Sequence, residues 1–233
     1  MTLKSEQFLR KDEPLHFEML KGLKEGWLQV VYDTENGCLA YAKENDSYYL
    51  SADTREDFEA MAALIDHRPD GMTVHQTCWL QDLMDKFDMK IDVVCYQVVR
   101  YDKTLLPVGM PGNMEIRPVT PDMYDEVLRL YDHGMNDYQY MCIRRGTFIA
   151  AFIDGDLAGF IGMHGWGAMG FLLIKPEYRR HGLGYILEGS LINRVIMQGD
   201  TPYAQIVYDN TASLGLQEKL GMVRSKSMLA YLY

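Results

Sequence analysis

What this chain has little of narrows it first. Basic residues are outnumbered, 23 Lys and Arg against 33 Asp and Glu, for a formal net charge of −10. A phosphate-neutralising face is therefore not expected, and nucleic acid is set aside as a partner. The same acidity suits a cationic amine. Cysteine is scarce and scattered: Cys38, Cys78, Cys95 and Cys142 form no C-x-x-C pair. They read as reduced, mostly buried thiols of a cytoplasmic protein rather than as a disulfide framework. The opening Met1-Thr2-Leu3-Lys4-Ser5-Glu6 has no apolar secretion core. No run approaches the roughly 18 apolar residues of a membrane span, so no membrane association is expected. No His, Cys or Asp grouping has metal-ligand spacing, so no metal is assigned, and a G-K-[ST] phosphate loop is absent.

What remains is a chain of 233 residues, 48% hydrophobic, enough for one large core or two small ones. Pro14 opens a helix with Leu15, Met19, Leu20 and Leu23 at helical spacing. Trp27 to Tyr32, Cys38 to Ala42 and Tyr48 to Ser51 read as an antiparallel meander, with a hairpin signal at Asn36-Gly37. Thr54 caps a helix carrying Phe58, Met61, Ala62 and Ile65, which the breaker from His67 to Gly71 ends. A strand (Met72 to His75), a helix (Trp79 to Phe87) and a strand (Ile91 to Val99) follow. From Thr147 onward the same order recurs: three strands, helix, strand, helix, strand. The expected fold class is therefore α/β (α+β), a mostly antiparallel mixed sheet with helices on both faces. Its two domains span 1–105 and 114–233, joined by a Pro- and Gly-bearing linker at 106–113. Residues 1–105 are either a degenerate copy of the second half or a generic α+β domain of coincident order.

The second half opens with a strand from Glu115 to Pro118. A helix follows, capped by Thr120-Pro121-Asp122 and stopped at Gly134. Strands from Phe148 to Phe152 and Leu157 to His164 come next. The turn Gly165-Trp166-Gly167-Ala168-Met169-Gly170 reads G-x-G-x-x-G, but a strand rather than a helix follows, which excludes a dinucleotide site. The stretch from Gly170 to Gly184 is the informative one. Phe171 to Ile174 is an apolar strand, Pro176 stops it, and a basic, glycine-bearing turn opens a helix with Leu187, Leu191 and Val195 on one face. Such a helix start presents unpaired N–H groups and a positive dipole end. Gly182 and Gly184 let an anion such as a pyrophosphate lie against the backbone.

Arg179-Arg180-His181-Gly182-Leu183-Gly184 resembles the R-x-x-G-x-G signature of the GNAT superfamily of acyl-CoA-dependent N-acyltransferases, and Leu172 to Tyr178 resembles its lead-in. The run from Asn210 to Met222 is similar to that family's second motif, so the resemblance covers roughly residues 114–233. The strand-end composition also resembles that of the glycine N-acyltransferase-like branch. The resemblance implies a GNAT fold and an enzyme moving an acetyl or short acyl group from acetyl-CoA or another acyl-CoA to a primary amine, directly in a ternary complex. The backbone of Leu172, Leu173 and Ile174 would pair with the pantetheine arm, and Arg179, Arg180, His181, Gly182, Leu183, Gly184 and Tyr185 would hold the pyrophosphate. Asn210 and Ser213 would bond the pantetheine or cap the last helix.

The proton-handling residues depart from the family pattern. Its usual tyrosine falls on Gln217 and its usual glutamate near Met169. His164 is a candidate base or a structural strand-end histidine, and Tyr208 is a candidate acid or a core tyrosine. The segment Asn136 to Arg145 looks too short for the helix such domains often carry over the acceptor. The acceptor side is therefore expected to be open, or completed by the first domain or by a second subunit in a homodimer, with Tyr138 and Tyr140 lining it. The expected acceptor is a small molecule or amino acid. A non-catalytic acyl-CoA-binding sensor or scaffold, and a protein-modifying acetyltransferase, are the alternatives.

Overall fold

The protein is described by a computed structural model covering residues 3–131 and 137–233. The helix stop at Gly134 and the first residue of the Asn136 segment lie outside the described residues. The first half carries helices α1 (Glu6–Leu9) and α2 (Glu13–Glu25) and strands β1 (Gln29–Thr34), β2 (Gly37–Ala42) and β3 (Ser47–Ala52). Helix α3 (Arg55–Leu64), strand β4 (Gly71–Val74), helix α4 (Leu80–Phe87) and strand β5 (Ile91–Val99) complete it. The second half opens with β6 (Met114–Pro118), α5 (Tyr124–Leu130) and α6 (Asp137–Arg144). Strands β7 (Ile149–Ile153), β8 (Asp156–Met163) and β9 (Met169–Ile174) lead into α7 (Leu183–Met197). Then come β10 (Tyr203–Val207), α8 (Thr211–Lys219), β11 (Val223–Arg224) and β12 (Leu229–Leu232).

Local chemistry explains where these elements start and turn. In α2, Pro14 lies in the first turn and Asp12 accepts the Leu15 N–H at 3.4 Å, while left-handed Gly26 ends the helix. The β7–β8 hairpin closes through Asp154 and Gly155, both with positive φ, the pair a two-residue type I′ turn requires.

The chain divides into two compact units, Met1–Val98 with Ile206–Thr211 and Val223–Tyr233, and Val99–Gln205 with Ala212–Met222. This differs from the linear split at 106–113, because the last strand belongs to the first unit. There the strand order is β1-β2-β3-β4-β12-β5. Strand β12 lies antiparallel to both neighbours, with Ala230 opposite Val74 on one side and Val94 on the other. Leu229, Ala230 and Leu232 are buried. Without β12, β4 and β5 would each present an unpaired edge. A pairing so distant along the chain leaves no trace in local composition. The expected linker is likewise packed: the Leu106 N–H donates to Asn193 Oδ1 at 2.7 Å, and Asn193 Nδ2 donates to the Leu106 carbonyl at 3.0 Å.

In the second unit β6, β7, β8 and β9 are antiparallel neighbours, and β10 joins β9 in parallel. Phe148, Phe152, Phe160, Phe171, Val127 and Ile143 fill its core. Helix α7 buries Leu183, Leu187, Leu191, Ile192 and Val195, each contributing about 1.5–3 kcal/mol. The connection expected to be too short for a helix in fact forms α6. Its Cys142 and Ile143 are buried against the same core, and that packing stabilises eight residues whose own propensity is weak.

Candidate functional site

Strand β9 shapes the site. Its pairing with β8 shifts register between Phe160 and Gly162, so that one β8 residue, Ile161, faces two on β9. At this bulge Phe171 adopts φ +58°, a left-handed conformation costly for a bulky residue. Packing holds it there: its ring meets His164 at 4.3 Å, Phe148 at 5.1 Å and Tyr131 at 5.7 Å, centroid to centroid. Bulges bend strands and add twist. Among the described pairs, β10 meets β9 at Ala204 opposite Met169, on the N-terminal side of this bulge. The edge of Leu172, Leu173 and Ile174 that faces away from β8 is thus left without a strand partner among the described pairs. In the first unit the corresponding parallel strands, β3 and β4, stay paired from Ser47–Gly71 to Leu50–Val74.

At the end of β9 the chain turns through Pro176 and a basic loop. The Arg179 Nε–H donates to the Ile174 carbonyl at 2.9 Å, tying the loop to the strand end. Arg180 has φ +64° and Gly182 φ +79°, so two left-handed residues bracket His181 and open α7. Gly182 is the N-cap and offers no side-chain cap, and the first intrahelical bond runs from the Ile186 N–H to the Gly182 carbonyl. The N–H groups of Leu183, Gly184 and Tyr185 therefore have no helical partner. A Cβ on Gly184 would meet only Leu216, at 3.6 Å, so nothing in the protein excludes a side chain there. The start of α3 is the opposite case. Thr54 accepts the Asp57 N–H at 3.1 Å, and Asp57 accepts hydroxyl protons from Thr54, Thr34 and Tyr32. Burial pushes the Asp57 carboxyl up, but these donors outweigh it and hold it below its usual range. That helix start is satisfied from within and carries a negative charge.

Above the bulge, His164, Tyr138 and Trp166 form a ring stack, with His164 and Trp166 centroids 4.6 Å apart. The Tyr138 hydroxyl shares a hydrogen bond with His164 Nδ1 at 3.0 Å and accepts the Gly165 N–H at 3.2 Å. Burial pushes the His164 imidazole down to about 4 and the Tyr138 phenol well above its ordinary value. His164 is therefore neutral near pH 7 and already engaged. Tyr140 packs edge-on against Tyr124 and is partly exposed. Tyr208 lies just beyond the end of β10, is 52% exposed and falls within the first unit. It is not a core tyrosine. Asn210 precedes α8 and donates its N–H to the Val207 carbonyl at 3.0 Å, and Ser213 lies in the first turn of α8.

Met169 is buried at the start of β9 and supplies no carboxylate. Gln217 is buried on α8, and its Nε2 donates to Glu188 Oε1 on α7 at 2.8 Å. Glu188 was not anticipated from sequence, although an acidic residue within the apolar face of α7 was a visible anomaly. Among the described residues no group of three His, Cys, Asp or Glu side chains stands close enough to hold a metal. No described helix is long and apolar enough to cross a membrane.

Residues 154–229 match the family model described as FR47-like protein. No curated protein sequence matches the chain. Among solved structures, a Drosophila protein superposes with a TM-score of 0.68 at 15% identity, covering 84% of this chain and 73% of that one. A GCN5-related N-acetyltransferase from Kribbella flavida gives 0.57 at 12% identity, with 94% of each chain covered. A GNAT-family protein from Novosphingobium aromaticivorans gives 0.55 at 18% identity, covering 94% of this chain and 97% of that one. The fold is the GNAT fold, and the matched segment contains the Arg179–Gly184 turn. The resemblance to the GNAT superfamily is borne out; none of these matches bears on the glycine N-acyltransferase-like branch.

Proposed function

We propose that the second unit of this GNAT-fold chain binds an acyl-CoA thioester, acetyl or another short acyl, and passes the acyl group directly to a primary amine. The acceptor in this reading is a small molecule or amino acid. The observation that carries it is the pairing of a splayed strand edge with an uncapped helix start, joined by a loop of two arginines. A pantetheine arm has amide groups that suit the open edge of Leu172 to Ile174, and a pyrophosphate suits the N–H groups of Leu183 to Tyr185. Arg179, Arg180 and His181 are exposed and add positive charge or donors at that end. The thioester supplies the activated acyl group. The chain's part is to fix its carbonyl against a backbone N–H and to exclude misoriented approach.

The first unit is read as a copy that has lost this site. Its equivalent strands are zipped together and its equivalent helix start is filled by Thr54 and Asp57. This follows from the shared order of elements, a three-stranded meander, helix, parallel strand, helix and strand in both halves.

Calorimetric titration of the full chain with CoA, beside a Gly184→Leu variant, tests the site. The variant should keep its unfolding midpoint, since Leu216 alone neighbours the new Cβ. It should lose at least about tenfold in affinity, 1.4 kcal/mol. An unaltered affinity sinks the assignment of the loop. A thiol-release assay with acetyl-CoA and a panel of amines then separates a transferase from a binding protein that does not turn over.

A further inference from the structure

We propose, building on the acyl-transfer reading above, that Glu188 is the acid that protonates the departing sulfur. Helix α7 packs on β8 and β9 and, as the crossover between parallel β9 and β10, runs antiparallel to β9. Glu188 lies five residues into it, about 7.5 Å along its axis, which spans about two strand residues. That carries it from the level of Ile174 back toward Leu172, where the reading places the thioester. Gly184 and Glu188, one turn apart, share the side of α7 that faces α8: a Cβ on Gly184 would meet Leu216 at 3.6 Å, and Gln217 donates to Glu188.

The carboxyl is 3% exposed and Gln217 2%. The single bond from Gln217 Nε2 leaves Glu188 Oε2 and Gln217 Oε1 buried with no hydrogen-bond partner among the described residues. A buried carboxylate with one amide donor is costly, and a proton removes the charge and turns one of the two orphaned oxygens into a donor. Burial accordingly pushes the Glu188 carboxyl up to about 7. It therefore holds its proton near neutral pH and yields it at modest cost, as a general acid must. The other candidates are poorer: His164 is unprotonated at that pH, and Tyr138 holds its proton too tightly.

The step balances without a further reagent. The amine nitrogen bonds to the acyl carbon, the C–S bond breaks, and its electron pair goes to sulfur. Sulfur takes the Glu188 proton to become a thiol. The amine sheds its own proton to water, and the carboxylate regains one from solvent after product leaves.

The test is Glu188→Gln in the full chain, which keeps size and hydrogen bonding but removes the acid. Glu188→Met, apolar and of similar reach, serves if the amide variant folds poorly. A folded variant should bind CoA within about twofold of wild type while kcat falls by about a hundredfold and KM for acetyl-CoA is little changed. Glu188→Asp should recover part of kcat. Difference infrared spectra of wild type minus variant, taken just below neutral pH without substrate, should show a protonated carboxyl. An unchanged kcat, or the absence of that carboxyl signal, overturns the role of Glu188 and leaves the transferase reading intact. Wild type that binds CoA yet acylates no amine overturns both while sparing the coenzyme site, and wild type that binds no CoA overturns all three.

Discussion

At the scale of single residues, the buried titratable groups set how stability responds to pH. Burial pushes the His164 ring down to about 4 and the His75 ring down to about 3, the latter also opposed by nearby His16. Both have folded values below the ordinary 6.5, so the unfolded chain binds more protons between those limits. Their neutral-state stabilisation is fully present above pH 6.5 and is lost as pH falls toward 4 and 3. Urea unfolding at about pH 5 should therefore show about 2 kcal/mol less stability per histidine than at neutrality. An acid limb that is the same in wild type and in a His75→Gln variant would contradict this. Glu18 has the reverse sign. Burial pushes it up to about 7 against the hydroxyls of Tyr49 and Tyr231, which donate to it at 2.7 and 3.0 Å. Its folded value exceeds the unfolded 4.5, so its contribution is complete below 4.5 and fades as pH rises through 7. Glu18→Gln should gain on wild type over that window, read by the same unfolding curves.

At the scale of elements, the β9 bulge and the β12 insertion each depend on one exchange of local cost for packing. Phe171 accepts a left-handed backbone, about 1–2 kcal/mol, to place its ring among Phe148, His164 and Tyr131. Phe171→Ala should lose about 3–5 kcal/mol of stability, since the ring is removed and the strain stays. Phe171→Gly should be about 1 kcal/mol better than the alanine variant, because glycine tolerates that φ. Denaturant midpoints decide it, and an alanine variant equal to or better than glycine would argue against strain at the bulge. The elements legible from sequence were those whose signal is local. The Thr54 cap, the stop near Gly71, the Asn36-Gly37 hairpin and the glycine-opened α7 all reappear where residue chemistry put them. Helix α6 was not legible, because tertiary burial of Cys142 and Ile143, rather than propensity, makes it helical.

At the scale of the whole molecule, the first unit is not contiguous in sequence. The fragment 1–105 lacks β12 and should remain largely unfolded by circular dichroism. Adding a peptide of residues 223–233 should restore structure, because Leu229, Ala230 and Leu232 then close the gap between β4 and β5. A cooperatively folded fragment without the peptide would show that gap to be dispensable. The sequence by itself determined the second half's strand, basic turn and helix, and with them the uncapped start of α7, since glycine, proline and apolar spacing act within a few residues of where they stand. Only the tertiary structure decided three further things: that the last strand completes the first unit, that β10 meets β9 on the N-terminal side of the bulge, and that Glu188 meets Gln217 in a dry interior. Each depends on groups remote in the chain being desolvated together, and that energy exists only once the chain has folded.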